Sequence, residues 1–442
     1  MVCKGASGVA KTSQIESDLL MGNTRVSPLE ITRNFLKYFH NQAHFTTNIS
    51  DDYEKNWKAG GYEGQKIGPT LNIRDPLMVN TRKTWTMNQQ NVKETYHSLT
   101  IDTVNGEDLN FSDADMATTV TDFAPRYVEG PAKKLASVID QQNITAALIK
   151  INNCEAYTSL AVPTAMNQGY LTLKAKMHKS LVDENDEVFA MINPDQEASI
   201  LYSFSGMLNP TMEISDIFKK GQLTSAYGLT WYRSALIPSI TTGTATVNGT
   251  SLVVGTFAAA TNTSLPYSGG LSTGAFVAGQ VITIAGLYDI NFETKTQYSQ
   301  LKQFVITANT TASGGAGTLS IFPAINFDTT DPAQNCYIAS NTINGAAIVI
   351  GALNGTSTSI PTTASTAYQQ NLLWVRDAFA YASVPLEKPN GLDMAEVVTV
   401  DGFSFRFLRG FDMINGRFLS RIDHFHGFTE LRGVWAGKLL TV

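Results

Sequence analysis

The residues best suited to chemistry sit near the end of the chain, where His424 and His426 flank Phe425 with Asp423 beside them. At strand spacing both imidazoles fall on one face, which is half of a zinc site. Zinc takes three or four ligands, and His40, His44, His97 and His178 lie far off in the sequence. The pattern therefore reads as a polar strand face, and no metal is expected. Cys154 as a nucleophile needs a histidine and an orienting group that the spacing does not supply. The SGGAG run from Ser313 lies between β-forming stretches, not at a strand-to-helix turn, so it is no phosphate loop. The sequons at Asn248, Asn262, Asn309 and Asn354 follow from Asn/Thr-rich composition. No enzyme chemistry and no cofactor are expected.

The elements that would position such residues are led by one stretch, Pro131–Ile151. Leu135, Val138, Ile139, Ala146 and Ile149 recur at three- and four-residue spacing, opposite Lys133, Lys134, Asp140 and Gln141. Pro131 suits the first helical position. A helix of this span is about 30 Å long, and without catalytic groups it reads as a beam. Its Lys133 and Lys134 read first as a solvated face.

Composition narrows the class. The 442 residues are 43% hydrophobic but only 16% charged, with net charge −6. Soluble domains average about 25% charged residues, so much of this surface is polar and uncharged, as suits a protein covered by neighbours or a Thr/Ser-dressed β chain. The acidic balance argues against sequence-reading nucleic-acid binding. Cys3, Cys154 and Cys336 form no paired spacing, which suggests a reducing compartment. Residues 1–30 hold only short apolar pieces, so the expectation is a soluble protein made in a cytoplasm, with no membrane partner.

In chain order, residues 1–28 read as an arm and 29–65 as a helix with a connector. Within the latter, Leu29–Phe45 places Ile31, Phe35, Tyr38 and Phe39 on one side, an aromatic stripe suited to a core. Residues 66–112 read as an extended β loop, with Arg74, Asp75, Arg82 and Lys83 crowded together, Glu94 further on, and Asn105-Gly106 as a tight turn. The beam belongs to a 113–160 unit. In 161–238, helices over Gly169–Leu181 and Pro194–Met207 bracket a strand at Glu187–Ile192. Composition then shifts: from 239 to 367 the charges are Asp289, Glu293, Lys295, Lys302, Asp328 and Asp331 alone. Short β runs between Gly and Asn turns predict a small β-barrel or sandwich inserted into the surrounding domain. Residues 368–442 return to it, with Phe403, Phe405 and Phe407 on one strand face and a turn at Asn415-Gly416.

These pieces resemble the major coat proteins of tailed bacteriophages, in the branch of the short-tailed Salmonella phage coat protein. The resemblance is carried by GPTLNIRDP (68–76), DFAPRYV (122–128), IAGLYDIN (284–291), LKQFVIT (301–307), LSIFPAI (319–325), RFLSRID (417–423) and GFTELR (427–432). It implies an α+β Hong Kong phage capsid fold: N-terminal arm, extended loop, peripheral domain with a long spine helix, axial domain, and an inserted β-barrel. The function it implies is a major capsid protein forming hexamers and pentamers of an icosahedral head. Implied partners are other copies of the chain, a separate scaffolding protein, a portal protein, and packaged double-stranded DNA held without sequence readout. The implied place is the virion capsid, assembled in the host bacterial cytoplasm. On that fold Arg74, Asp75, Arg82, Lys83 and Glu94 become candidates for intersubunit ion pairs, and Lys133 and Lys134 candidates to face DNA. Two other readings are a surface β-domain that binds carbohydrate and a metal hydrolase using His424 and His426.

Overall fold

The computed structural model describes residues 33, 35, 37–39, 42–51, 68–76, 78, 79, 81, 82, 84–87, 89, 94–112, 129–157, 163–204, 225–244, 252–256, 261–269, 273–313, 316–339, 343–350, 367–392, 394–400 and 402–441. The arm (1–28), most of the connector, Lys83 and the DFAPRYV motif lie outside the described residues.

The beam is a 22-residue helix, α1 (Glu129–Lys150). Its Leu135, Ile139, Ile144, Ala147 and Leu148 are buried, and each fully buried Leu or Ile contributes roughly 1.5–3 kcal/mol. Val138 and Ile149 are half-buried and Ala146 is exposed, so the apolar stripe is rotated from the expected one. Asp140 corrects the sequence reading most sharply: expected on the polar face, it is 1% exposed. The short helical turn His44–Thr47 explains this, because its free N–H groups point at the Asp140 carboxylate. The preceding helix is not continuous to Phe45. It gives way to a turn at Gln42-Ala43, while Phe35 and Phe39 are buried as the aromatic stripe predicts.

Two sheets hold the core. In the seven-stranded sheet, the strands Asn153–Tyr157, Ala436–Thr441, Ala367–Val375, Val188–Ile192, Leu229–Arg233 and Ser225–Ala226 lie side by side in that order. Pairs of both senses occur, parallel between 153–157 and 436–441 and antiparallel between 367–375 and 188–192. Helices α2 (Pro163–Lys179) and α3 (Pro194–Phe204) complete this unit, with Tyr170, Leu173 and Met177 of α2 and Ile200 of α3 joining its apolar cluster. α2 starts six residues earlier than the sequence predicts, at a proline.

The second sheet is built on the long strand Arg417–Glu430. Thr103–Ser112 lies on one side of it; on the other, Phe403–Asp412 and Phe379–Ser383 divide its length. Phe403, Phe405 and Phe407 face inward, and Phe403 and Phe405 meet Phe35 and Phe39 at centroid distances near 5 Å (5.0 Å for Phe35–Phe405). Asn415-Gly416 makes the hairpin turn, with Gly416 at φ +60°. Asn105-Gly106 does not turn: it lies inside a ten-residue strand, with Gly106 opposite Asp423. A Cβ on Gly106 would stand 2.6 Å from the Ile422 carbonyl oxygen, so this glycine serves close strand approach, not reversal.

Between the strands Ile240–Thr241 and Ala367–Val375, the chain forms a separate nine-stranded sheet with its own apolar cluster, including Leu265, Ile282, Phe304 and Leu319. Antiparallel pairings run from Val253–Val254 through Thr261–Ser268, Ala316–Asn326, Gln297–Ile306 and Val281–Ile290 to Ile348–Ile350. The bridge Val253–Ala347 then closes the circuit. The two ends of this excursion meet, because Ile240–Thr241 pairs with Ala367–Tyr368.

Candidate functional site

Of the charged residues singled out in the extended loop, Arg74, Asp75, Arg82 and Glu94 lie on or beside one exposed two-stranded ribbon, Thr70–Arg74 against Tyr96–Thr100. Two strands cannot bury a core, so their outer surfaces remain available. Arg74 Nη1 stands 3.5 Å from Glu94 Oε2, both side chains well exposed. Asp75 Oδ2 accepts from Thr95 Oγ1 at 2.9 Å and lies 3.3 Å from His97 Nε2. Arg82 Nη1 donates to the Trp85 carbonyl oxygen at 3.1 Å. The structure thus gives these side chains partners within one chain, and it gathers them at the ribbon and its tip.

Sequence reasoning missed the apolar component of that tip. Trp85 is 102% exposed, and Met78, Val79 and Met87 are also exposed. A fully exposed tryptophan forgoes roughly the whole apolar benefit of a large ring. The signal was legible as Trp85-Thr-Met87 inside an otherwise polar stretch. A second exposed apolar tip, Met413 and Ile414, crowns the 403–430 hairpin.

Lys133 and Lys134 are exposed on α1, with Lys133 Nζ 5.9 Å from the Tyr38 ring centroid. The loop tip and these lysines belong to separate elements.

His424 and His426 do share a strand face, their rings stacked at 5.0 Å, but that face is not a polar one. His424 is fully buried and His426 nearly so, because the alternation that aligns them also turns them into the phenylalanine core. His424 stacks on Phe405 at 4.4 Å. Its Nδ1–H donates to the Ser404 carbonyl oxygen at 2.8 Å, which leaves Nε2 to accept from the Tyr381 hydroxyl. Burial holds His424 down at about 3 and His426 at about 4, so both are neutral near pH 7. Among the described residues, no three of His, Cys, Asp and Glu are grouped as metal ligands. Asp423 is engaged instead by Arg406 and Arg421, at 2.6 and 2.5 Å.

Cys154 is buried and its thiol is pushed up to about 12 by burial, so it is not a nucleophile near pH 7. It lies in a polar junction that sequence reasoning did not find. Lys176 Nζ sits 2.7 Å from Glu155 Oε1 and donates to the Cys154 carbonyl oxygen and to Gln303 Oε1. Lys438, fully buried, donates to the carbonyl oxygens of Leu148 and Gly279. The one visible signal was a lysine inside the apolar strand AGKLLT. Nearby, a cleft of about 500 Å³ lined by Thr145, Leu148, Ile149, Pro238, Gly279 and Gln370, among others, has no titratable side chain among the described residues of its wall. The geometry offers surfaces and ties between units, and no constellation for acid–base or nucleophilic catalysis among the described residues.

A family model described as P22 coat protein, gene protein 5, matches residues 173–440, more than half of the chain. No curated protein sequence matches. Among solved structures, the chain is similar to one from Mycobacterium phage Che8, at 10% identity and TM-score 0.46, covering 89% of each chain. It is also similar to the capsid of Ralstonia phage GP4, at 8% identity and TM-score 0.43, covering 100% of this chain and 98% of that one. The capsid of cyanophage P-SCSP1u matches at 11% identity and TM-score 0.42, over 85% and 84%.

Proposed function

Because this chain belongs to the P22 coat protein family, we infer that it works as the major capsid protein of a phage head. The observation that carries this is the family match over 173–440, which takes in the seven-stranded sheet's central strands, the closed β unit and the 403–430 hairpin. The architecture reads as the Hong Kong phage capsid fold: α1 is the spine helix, the 70–100 ribbon belongs to the extended loop, and the seven-stranded sheet with α2 and α3 is the axial domain.

The mechanism is repeated weak association. Each copy touches several neighbours, so a closed shell is stable although single contacts are weak. Heterologous contacts that close into rings form the hexamers and pentamers. The extended loop is the natural reach to a neighbour, since its Arg74, Asp75, Arg82 and Glu94 lie beside exposed apolar side chains. We assign these charges to register, because exposed pairs contribute only about 0–1 kcal/mol each. The closed β unit between Thr241 and Ala367 acts as an inserted folding and stability module. Assembly proceeds through a precursor shell on a separate scaffolding protein in the host bacterial cytoplasm, with a portal protein at one vertex and double-stranded DNA packaged inside. Lys133 and Lys134 form a solvated face of the spine helix, and contact with DNA is their second reading.

Negative-stain electron microscopy of the chain produced with and without a scaffolding protein of the same phage tests this. Uniform hollow shells that depend on the scaffold are expected. A stable monomer under both conditions overturns the reading.

A further inference from the structure

The strand Asn153–Tyr157 ends the seven-stranded sheet. Among the described residues its ladder partner is Ala436–Thr441 on one side alone. An edge strand presents N–H and C=O groups as a template for a foreign strand, and proteins that stay soluble must blunt it. Here both backbone groups of Cys154 are taken by a single side chain from the closed β unit. Cys154 N–H donates to Gln303 Oε1 at 2.9 Å, and Gln303 Nε2 donates back to the Cys154 carbonyl oxygen at 3.0 Å. This copies the two-bond rung of an antiparallel ladder without supplying a strand.

The surroundings fix that amide. Lys176 Nζ donates to Gln303 Oε1 at 3.2 Å, and Asn152 Nδ2 donates to the Gln303 carbonyl oxygen at 3.2 Å. Val281, Val305 and Phe322 of the β unit pack in one cluster with Cys154, Ala156 and Leu440 of the sheet. Lys438, on the strand next to the edge, reaches across to the Gly279 carbonyl oxygen at 2.6 Å. Gln303 is 6% exposed, so the rung is dry and no water competes for it.

We propose that the 252–350 unit is an edge cap: Gln303 closes the open edge of the main sheet against strand addition by another copy. This rests on that unit being a separately folded insertion. It explains why a subunit that must meet its neighbours only through designated surfaces carries a β unit docked by a polar rung as well as an apolar patch.

The test is Gln303→Leu in the full chain, which keeps the volume and removes the amide. Exchange protection of the Cys154 amide is expected to fall at least tenfold, while the Ile282 and Ile306 amides inside the β unit keep theirs. Closed shells are expected to give way to irregular polymers with an intermolecular β-sheet infrared band. Adding Ala156→Pro deletes the next outward N–H of the edge by strand alternation, and is expected to suppress those polymers. Should Gln303→Leu lose protection throughout, Gln303→Glu decides, because it keeps the acceptor for Cys154 N–H and loses only the donor. Polymers from Gln303→Glu with an intact β unit support the cap. Normal shells and unchanged aggregation in whichever variant folds overturn it. Loss of the Ile282 and Ile306 protection in both variants overturns the separate-insertion reading instead.

Discussion

Asp140 Oδ1 on α1 accepts two hydrogen bonds from Thr46, one from its backbone N–H and one from its Oγ1, each at 2.8 Å. Phe45 N–H adds a third to Oδ2 at 3.3 Å. The carboxylate thus stands in for the missing partners of the 44–47 turn and ties the N-terminal aromatic segment to α1. Asn143 Nδ2 completes the network by donating to Thr46 Oγ1 at 3.0 Å. Asp140→Ala strands buried donors and is expected to cost about 2–4 kcal/mol in urea unfolding of the unassembled subunit.

The same carboxyl has a pH signature. Burial raises it to about 6 against the donors that lower it. With the folded value above the usual 3.8, the folded chain binds more protons between those limits, so this group's contribution to stability falls as pH rises from 3.8 to 6. Asp140→Asn lacks that dependence. Relative to the parent it should improve by up to about 3 kcal/mol between pH 4 and pH 7, read as the difference in urea midpoints.

The imidazoles act with the opposite sign. Burial lowers His424 and His426 below 6.5, so the unfolded chain binds more protons below that pH. Their stability contribution is complete above pH 6.5 and declines as the medium is acidified. Between pH 6.5 and 5 the loss is about 2 kcal/mol per imidazole. The double variant His424→Phe with Tyr381→Phe removes the Tyr381–His424 pair together, and of their partners the Ser404 carbonyl oxygen loses its imidazole donor. It should flatten the acid limb of a melting-temperature profile by about half, with His426 supplying the rest.

What the sequence made legible follows from periodicity. The three-residue Phe403–Phe405–Phe407 alternation, the α1 heptad-like spacing and the charge-poor β stretch each project one face, and a face is readable along the chain. Asp140 and His424 were misassigned because polarity alone was read as exposure. Their partners, Thr46 and Tyr381, are 94 and 43 residues away, and long-range pairing leaves no local trace. Gln303 and Lys438 were missed for the same reason. The charges at Arg74, Asp75, Arg82 and Glu94 are legible as a cluster, whereas the exposure of Trp85 beside them depends on the absence of a covering element, which no local pattern encodes.

Gly106 shows how a turn signal can mislead. Asn-Gly usually reverses a hairpin, yet here the missing Cβ lets the 103–112 strand press against the Ile422 carbonyl. Gly106→Ala must move backbone, since the 2.6 Å clash is with a carbonyl oxygen rather than a flexible side chain. A destabilisation of about 1–3 kcal/mol is expected by urea unfolding. Asn105→Ala, lacking that steric conflict, should change stability by less than about 0.5 kcal/mol, because the Asn105–Gln142 hydrogen bond it removes is exposed. A true turn would rank the two substitutions more closely.

The exposed tip beyond the 70–100 ribbon allows subunit stability to be tested apart from the assembly role proposed for it. Trp85 is fully exposed and the Arg74–Glu94 pair has solvent on both sides, so neither supports the fold of one copy. Trp85→Ala and Glu94→Lys should each leave the unfolding midpoint of the free subunit within about 0.5 kcal/mol of the parent. Trp85→Ala should nevertheless cut shell yield strongly, because an exposed ring that becomes buried against a neighbour contributes about 2 kcal/mol or more at every repeat of the contact. Glu94→Lys should act on geometry instead, giving shells of altered size or aberrant curvature at similar total yield. Sedimentation velocity gives the yield and electron microscopy the diameters. If both variants formed parental shells in parental amounts, the loop would not be the reach between copies, and the second apolar tip at Met413 and Ile414 would be the surface to substitute next.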